Sequence, residues 1–348
     1  MRGLYEELVK IAWNIDFYFA ASNVERIKEI FGQRDNVHYI KLEAKSKVVR
    51  LLTEMPQVIK KYGIDAAHYQ YTSPLIKNCF TIVTLHDVLF KDYPGLFPLN
   101  YRLSKGVLFS LSARRADLLL TVSEYSRERI SHHYGIPEKR IYVTPNAVSE
   151  DFFHIDKREA AEFTQGRRIE KYILYVSRIE PRKNQIAVLR AYDEMKLWRQ
   201  GYDLVFIGRK TLPTPQFDAY LKSIDKKATP HIHIFNQVDY GELKLWYGAA
   251  SLFIYPAIAE GFGIPPIEAG AAGVPCICNN KTAMKDFTFL DKNLIDISDS
   301  DLLKETIKRC LSSPTDTNSI GQAIKAKYNW QVIAQAYYTL LQSKVLGM

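Results

Sequence analysis

Two successive series of short apolar runs, alternating with helix-like stretches, constrain this chain more than any other feature. The first series reads IDFYFA, VHYIKL, AAHYQY, FTIVTL, LLLTVS and IYVT, with helix-like segments around 48–61, 99–115 and 124–134. The second reads YILYVS, YDLVFIG, HIHIF, LFIYP, VPCIC and LIDI, with helix-like segments around 184–200, 215–227, 241–249, 265–272 and 301–312. Runs of this length and composition suit strands, and their alternation with helices implies parallel strands joined by crossovers. The expected fold class is therefore α/β, with two doubly wound Rossmann-like domains facing across a cleft. Ligands bind such sheets at the carboxyl ends of the strands. The 348 residues are enough for two domains of ordinary size. The first is expected over 1–148, a charged linker over 149–170, and the second over 171–328, followed by a terminal segment, 329–348. One irregularity stands out. The first half opens on a helix-like stretch, Leu4 to Ala12, where a doubly wound sheet normally opens on its central strand. The N-terminal domain is thus expected to lack its first strand, and the chain to start late.

Composition removes several classes of function. Hydrophobic residues at 47% and charged residues at 24% are ordinary for a globular chain. The opening MRGLYEELVKIAW lacks the basic-then-apolar layout of a signal peptide. The best apolar run, FTIVTLHDVLF, is interrupted by His86 and Asp87 and is too short to span a bilayer. The net charge of +9 is spread over both halves, so no nucleic-acid-binding stripe is expected. Cys79, Cys276, Cys278 and Cys310 form no C-x-x-C pair, which argues against zinc and for core thiols in a reducing compartment. A cytoplasmic location is expected, with the inner face of the membrane as a place of peripheral contact.

The chemistry concentrates in Glu260-Gly261-Phe262-Gly263-Ile264-Pro265-Pro266-Ile267-Glu268. The strand-like LFIY precedes it, and Pro265 and Pro266 mark a helix start, where proline is tolerated. A strand, a Gly-rich loop and a helix N-terminus offer backbone N–H groups and a positive dipole end to a phosphate. Glu260 lies before the loop and Glu268 is expected in the first helical turn. Both carboxylates could accept hydrogen bonds from sugar hydroxyls. Arg178 and Lys183 flank the turn after YILYVS and would suit a diphosphate. His86, followed by Asp87, ends the strand FTIVTL. Each feature alone also has a plain structural reading: a carboxylate complementing a helix dipole, ordinary loop charges, a histidine bonded to a loop carbonyl.

Taken in order, HDVLFKDYPGLFP, TVSEYSRERI, IYVTPNAVSEDFF, YVSRIEPRKN, LVFIG and LKLWYGAASLFIYPAIAEGFGIPPIEAGAAGVPCI resemble the family 4, or group 1, retaining glycosyltransferases of GT-B fold. The late YNWQVIAQAYYTLL extends the resemblance over nearly the whole chain. It implies a hexose (mannose or glucose-type) moved from a nucleotide-diphosphate sugar to a glycan or lipid-linked acceptor in surface polysaccharide synthesis. Glu268 would bind the ribose, Glu260 would lie beside the hexose, and Arg178 and Lys183 would hold the diphosphate. Gly261, Phe262, Gly263 and Ile264 would line the donor, with amides of Gly263 and Ile264 on the phosphates. His86 would reach the donor sugar, and Gly3 would belong to a loop near the diphosphate. The helix from Trp330 would cross back to the first domain. No metal or other cofactor is expected, because no DxD-like cluster is present to hold an ion. The alternative reading is a catalytically impaired nucleotide-sugar-binding protein, motivated by the missing first strand.

Overall fold

A computed structural model describes residues 1–313 and 315–347. The chain divides into two compact units, one formed by Met1–Ala147 with the segment from Trp330 onward, the other by Val148–Asn329. All the apolar runs identified above form strands, and every paired strand is parallel.

In the first unit, β1 (Phe17–Ala21) and β2 (Val37–Lys41) make a separate two-stranded sheet. β3 (Ala66–Gln70), β4 (Phe80–Thr84), β5 (Leu118–Thr121) and β6 (Ile141–Val143) make a second sheet in that order. β4 and β5 are almost wholly buried, whereas β1 and β3, each paired on one side, keep partly open residues. The helix Arg2–Ile11 packs Leu4, Leu8 and Val9 into a core shared with Ile333, Ala334 and Tyr337 of the helix Trp330–Leu341. That packing places the last helix in the first unit. Gly3 lies within the helix Arg2–Ile11 and not in a loop, contrary to expectation. A Cβ there would overlap the Trp330 indole, so the residue serves close helix packing.

The second unit is one six-stranded sheet in the order β12-β11-β10-β7-β8-β9. Its strands are β7 (Tyr172–Val176), β8 (Asp203–Ile207), β9 (Ile232–Phe235), β10 (Leu252–Tyr255), β11 (Cys276–Asn279) and β12 (Leu294–Ile295). The chain starts at central β7, runs outward through β8 and β9, then returns to place β10 on the other side of β7. The reversal between β7 and β10 is a topological switch point, where the crossovers on either side diverge and leave a crevice at the strand ends. β10 and β11 are buried at every position, which explains their apolar sequence up to Asn279, whose amide donates to the carbonyl of Ala257. Truncating a residue such as Phe253 to Ala would cost roughly 3–5 kcal/mol through lost contact and the cavity left behind.

The stretch 149–170, expected to be a linker, is folded. Its helix Lys157–Gln165 is opened by the Asp156 side chain, which accepts from Arg158 N and Glu159 N. Ala160 is fully buried, and Lys157 Nζ donates to the carbonyls of Gly248 (2.9 Å) and Ala272 (2.5 Å). Arg158, Glu159 and Glu162, among the charges that made this stretch look like a linker, lie on the exposed face of that helix. The D-x-x-E signature at Asp156 and Glu159 is the local signal that marks its start. Among the described residues, no helix is long and apolar enough to cross a membrane.

Candidate functional site

The loops that leave β7 and β10 carry the charged residues of the second unit's sheet end. After β7 the backbone turns through Arg178, Glu180, Arg182 and Lys183, with Asn184 in the left-handed region at φ 51°. Asparagine tolerates that conformation, and it redirects the chain into the helix Gln185–Glu194. After β10 the chain runs from Tyr255 to Glu260. Because β7 and β10 are neighbours, the two loops meet at the switch point.

The meeting is a buried charge cluster. Lys183 is 6% exposed and Glu260 is 9% exposed. Lys183 Nζ forms an ion pair with Glu260 Oε1 and also donates to the Tyr255 hydroxyl at 3.2 Å. Tyr255 in turn donates to Glu260 Oε1 at 3.0 Å, and Arg182 Nη1 lies 3.1 Å from the same oxygen. Burial works to raise the Glu260 carboxyl, but Lys183 and Arg182 outweigh it and hold the group below the ordinary glutamate value. Burial pulls the Lys183 ammonium down from its usual range against the attraction of Glu260. Buried Glu180 anchors the other end of the cluster. Its Oε1 sits 2.8 Å from Arg182 Nη2 and 3.4 Å from Arg178 Nη2, and its Oε2 accepts from Thr211. Arg178 is thereby tethered on one side while about half its side chain stays open to solvent.

Glu260 is further held by its backbone N–H, which donates to Thr282 Oγ1 at 3.0 Å. Thr282 has φ 55°, a strained value for a β-branched residue that is kept at the site by its surroundings. Gly263 has φ 99° and caps the helix Ile264–Ala271. Its hydrogen faces Met284 and Phe287, so a Cβ would crowd both and strain the turn. Pro265 and Pro266 carry no N–H, which leaves Gly263, Ile264 and Ile267 as the amide bearers around this helix start.

Three expectations need adjustment. Glu268 is the fifth helical residue and sits in the second turn, because the helix begins at Ile264. Its Oε2 accepts from the Tyr247 hydroxyl at 2.9 Å, and burial pushes its carboxyl up to about 7. Phe262 turns its ring into the core against Phe287 and Tyr328, at 5.7 and 5.6 Å, so only its backbone faces the loop. Gly3 lies in the first unit's helix packing, as described. Gly261 is buried in the same turn as Gly263.

His86 belongs to the first unit. Its Nε2 lies 3.1 Å from Gln70 Oε1 and its ring packs on Tyr71. Burial lowers its pKa to about 4, so the imidazole is neutral near pH 7. It lines a small cavity with Leu4, Thr84, Leu120, Thr144 and Asn146 at the carboxyl ends of β4, β5 and β6.

The structure thus brings together Lys183, Glu260 and Arg178 around residues that sequence reasoning left aside: Glu180, Arg182, Tyr255 and Thr282. Tyr255 carried a usable signal as the last residue of a strand next to the motif. Glu180 and Thr282 carried none, since their roles depend on which loops become neighbours. A further missed residue is Gly208, at the end of β8 with φ 150°. A Cβ there would overlap the carbonyl of Ser177, so Gly208 lets the exits of β7 and β8 approach closely.

The family described as Glycosyl transferases group 1 matches residues 156–327, and Glycosyltransferase Family 4 matches residues 4–152. The chain is 26% identical over 346 residues to O-antigen chain mannosyltransferase B of Escherichia coli, covering 91% of this chain and 87% of that protein. It is 25% identical over 238 residues to the GDP-mannose-dependent alpha-(1-6)-phosphatidylinositol monomannoside mannosyltransferase of Mycobacterium tuberculosis, covering 63% of this chain and 60% of that one. Among solved structures, sucrose-phosphate synthase from Thermosynechococcus elongatus superposes with a TM-score of 0.78 at 18% identity, covering 99% of this chain and 92% of that one.

Proposed function

We propose, from the premise that the chain belongs to the group 1, family 4 glycosyltransferases with the GT-B fold, that it transfers mannose from a nucleotide-diphosphate donor. It is a hexosyltransferase of polysaccharide or glycolipid synthesis. The finer proposal is retention at the anomeric carbon and a glycan or lipid-linked acceptor of surface polysaccharide, reached in the cytoplasm at the inner membrane face. GDP is the nucleotide favoured, since a mannosyltransferase relative is named as GDP-mannose-dependent.

The observation that carries this reading is the Lys183, Arg182 and Glu260 cluster at the switch point of the second unit. Breaking the sugar–phosphate bond develops negative charge on the leaving diphosphate and positive charge on the sugar. Arg178 and Lys183 are assigned to the diphosphate, where fixed cations in a dry site stabilise the transition state. Glu260 is assigned to the sugar side, and its low pKa keeps it ionised to face the developing positive charge. Glu268 is assigned to the ribose hydroxyls, and the amides of Gly263 and Ile264 to phosphate oxygens. For His86 the assignment is a hydrogen bond to a sugar hydroxyl from the neutral imidazole that burial enforces. With cations of the chain on the diphosphate, transfer is proposed to need no metal ion, so EDTA should leave turnover unchanged.

The test is calorimetric titration of GDP, UDP and ADP into the protein and into Lys183→Ala, followed by turnover of the matching sugar donor with a lipid-linked acceptor. Tight GDP binding that is lost in the variant supports the site and the donor class. Binding without turnover would favour the reading of a nucleotide-sugar-binding protein that does not catalyse transfer.

A further inference from the structure

The amino ends of β3 and β4 carry an open hollow, at the opposite end of the first unit's sheet from His86. Its volume is about 570 Å³. The last turn of the helix Met55–Tyr62 forms one wall, and Asp65 and Asn78, which lead into β3 and β4, form the other. Parallel pairing of Ala66 with Phe80 sets those two entries side by side, and the Phe80 amide donates to the Asp65 carbonyl at 2.9 Å. Ile59 and Ile64 give the hollow an aliphatic lining. Gly63 ends the helix at φ 61°, and a Cβ there would meet nothing within 4 Å. The polar lining is Lys60, Asp65 and Asn78, all three exposed. Among the described residues, none takes up the Lys60 ammonium, the Asp65 carboxylate or the Asn78 amide in a hydrogen bond or ion pair. Tyr62, the last residue of the same helix, is 39% exposed and its ring lies 5.8 Å from that of Tyr18, which is 37% exposed and packs on His38 at 4.6 Å. The hollow and an open aromatic cluster thus share one helix end.

We propose that this end of the first unit binds a hexose polymer, with sugar hydroxyls on Lys60, Asp65 and Asn78 and a pyranose face on the Tyr62 ring. A neutral polyol needs donors and acceptors together. Lys60 donates, the Asp65 carboxylate accepts, and the Asn78 amide does both. The lining's one cation and one anion offset each other, so the hollow favours neither a phosphate nor a metal ion. Ile59 and Ile64 suit the C–H side of a sugar, and a tyrosine ring joins an apolar face to a polar tip. β4, five residues at about 3.3 Å each, stands between this hollow and His86. One hexose cannot touch both ends, so the hollow grips the polymer away from the unit that reacts. A chain held there keeps its reacting end at raised effective concentration. The proposal rests on the reading of a glycan acceptor, and it names a second hold on that acceptor.

The experiment is native electrophoresis of the full-length chain through gels containing soluble α-mannan or dextran. One or both polymers should retard the wild-type protein. Asp65→Ala/Asn78→Ala should lose roughly tenfold in apparent affinity, because it removes the lining's acceptors. Tyr62→Ala should weaken binding by a few fold through loss of the ring face. Lys183→Ala, in the second unit, should be retarded as wild type. GDP titration into the double variant should match wild type, so a failed donor site is told apart from a failed glycan surface. If the double variant melts early, Asn78→Ala takes its place. Failure of both polymers to retard the wild type overturns the proposal. Equal retardation of the wild type and the folded variants also overturns it, and moves glycan binding away from this hollow.

Discussion

Lys183 and Glu260, 77 residues apart in sequence, form a buried ion pair where the loops of β7 and β10 meet. Under the proposed assignment to the diphosphate, a pair in this position would hold a cation in readiness for an anionic ligand. In the unliganded protein the Glu260 carboxylate satisfies Lys183, and an arriving diphosphate would compete for the same ammonium. Arg182 and Tyr255 stay on Glu260 Oε1, so the carboxylate is not stranded when Lys183 turns to a ligand.

Removing that ammonium should therefore harm turnover more than folding. Lys183→Ala is expected to lower kcat by about 10²–10³-fold, the usual cost of deleting one fixed stabiliser of transition-state charge. Some stability will go as well, because a buried carboxylate loses one of its two cations. Steady-state kinetics beside thermal unfolding separates the two effects. A variant that turns over normally would remove Lys183 from the proposed site.

With Glu268 assigned to the ribose, nucleotide binding is expected to depend on pH. The Glu268 pKa is pushed up to about 7 by burial, and the ionised form is the stronger acceptor for ribose hydroxyls, since the protonated acid turns one oxygen into a donor. GDP affinity is expected to rise between about pH 6 and pH 8, and Glu268→Gln should bind weakly with a flat profile. The same shift acts on folding in the opposite sense. Between the ordinary carboxyl pKa and 7 the folded state binds more protons than the unfolded state, so this group's contribution to stability declines as pH rises through that window. Calorimetric affinities at several pH values test the first statement. An affinity that does not change with pH would place the ribose elsewhere.

Acid should loosen the first unit. His68 is half-buried, with the Tyr5 hydroxyl 2.7 Å from Nδ1 and Thr84 Oγ1 2.7 Å from Nε2, and burial lowers its pKa to about 3. With Tyr5 donating to Nδ1, Nε2–H donates to Thr84, and the ring is neutral. His86 is lowered to about 4 for the same reason. For both, the unfolded state binds more protons below about pH 6.5, so their contribution is complete above that value and is lost as pH falls toward 4. Thermal unfolding followed from pH 7.5 to 4.5 should show a falling Tm, and His68→Gln should fall less steeply. Parallel curves for the two proteins would show that His68 is not a source of the acid sensitivity.

Gly208→Ala should disturb the second unit beside the loop that bears Arg178. The added Cβ would overlap the Ser177 carbonyl, one residue before Arg178, at a φ that side chains rarely adopt. A loss of about 1–3 kcal/mol is expected, with Tm lower by several degrees. GDP affinity should fall too, since the loop bearing Arg178 must move. A variant with unchanged Tm would mean that the exits of β7 and β8 separate at no cost.

Local pattern was enough to place the strands and most of the helices of this chain. β-branched runs bounded by turn residues, and helix starts such as Pro265 and Pro266, depend on neighbours a few residues away. The same locality explains the elements that were missed. The helix Lys157–Gln165 is highly charged, and only its apolar inner face, packed on the helix Tyr240–Ala249, distinguishes it from a linker. The motif residues Arg178, Lys183, Glu260 and Glu268 stood out because their types and spacing suit a phosphate and a sugar. Their surroundings were not readable. Glu180, Arg182, Tyr255 and Thr282 acquire their roles from the order of strands in the sheet, which brings β7 beside β10 and the loop after β11 beneath Glu260. Phe262 turned into the core and Gly3 went into a helix contact for the same reason. Sequence periodicity records which face of a segment is apolar, whereas the identity of the segment that covers it is decided only when the whole sheet assembles.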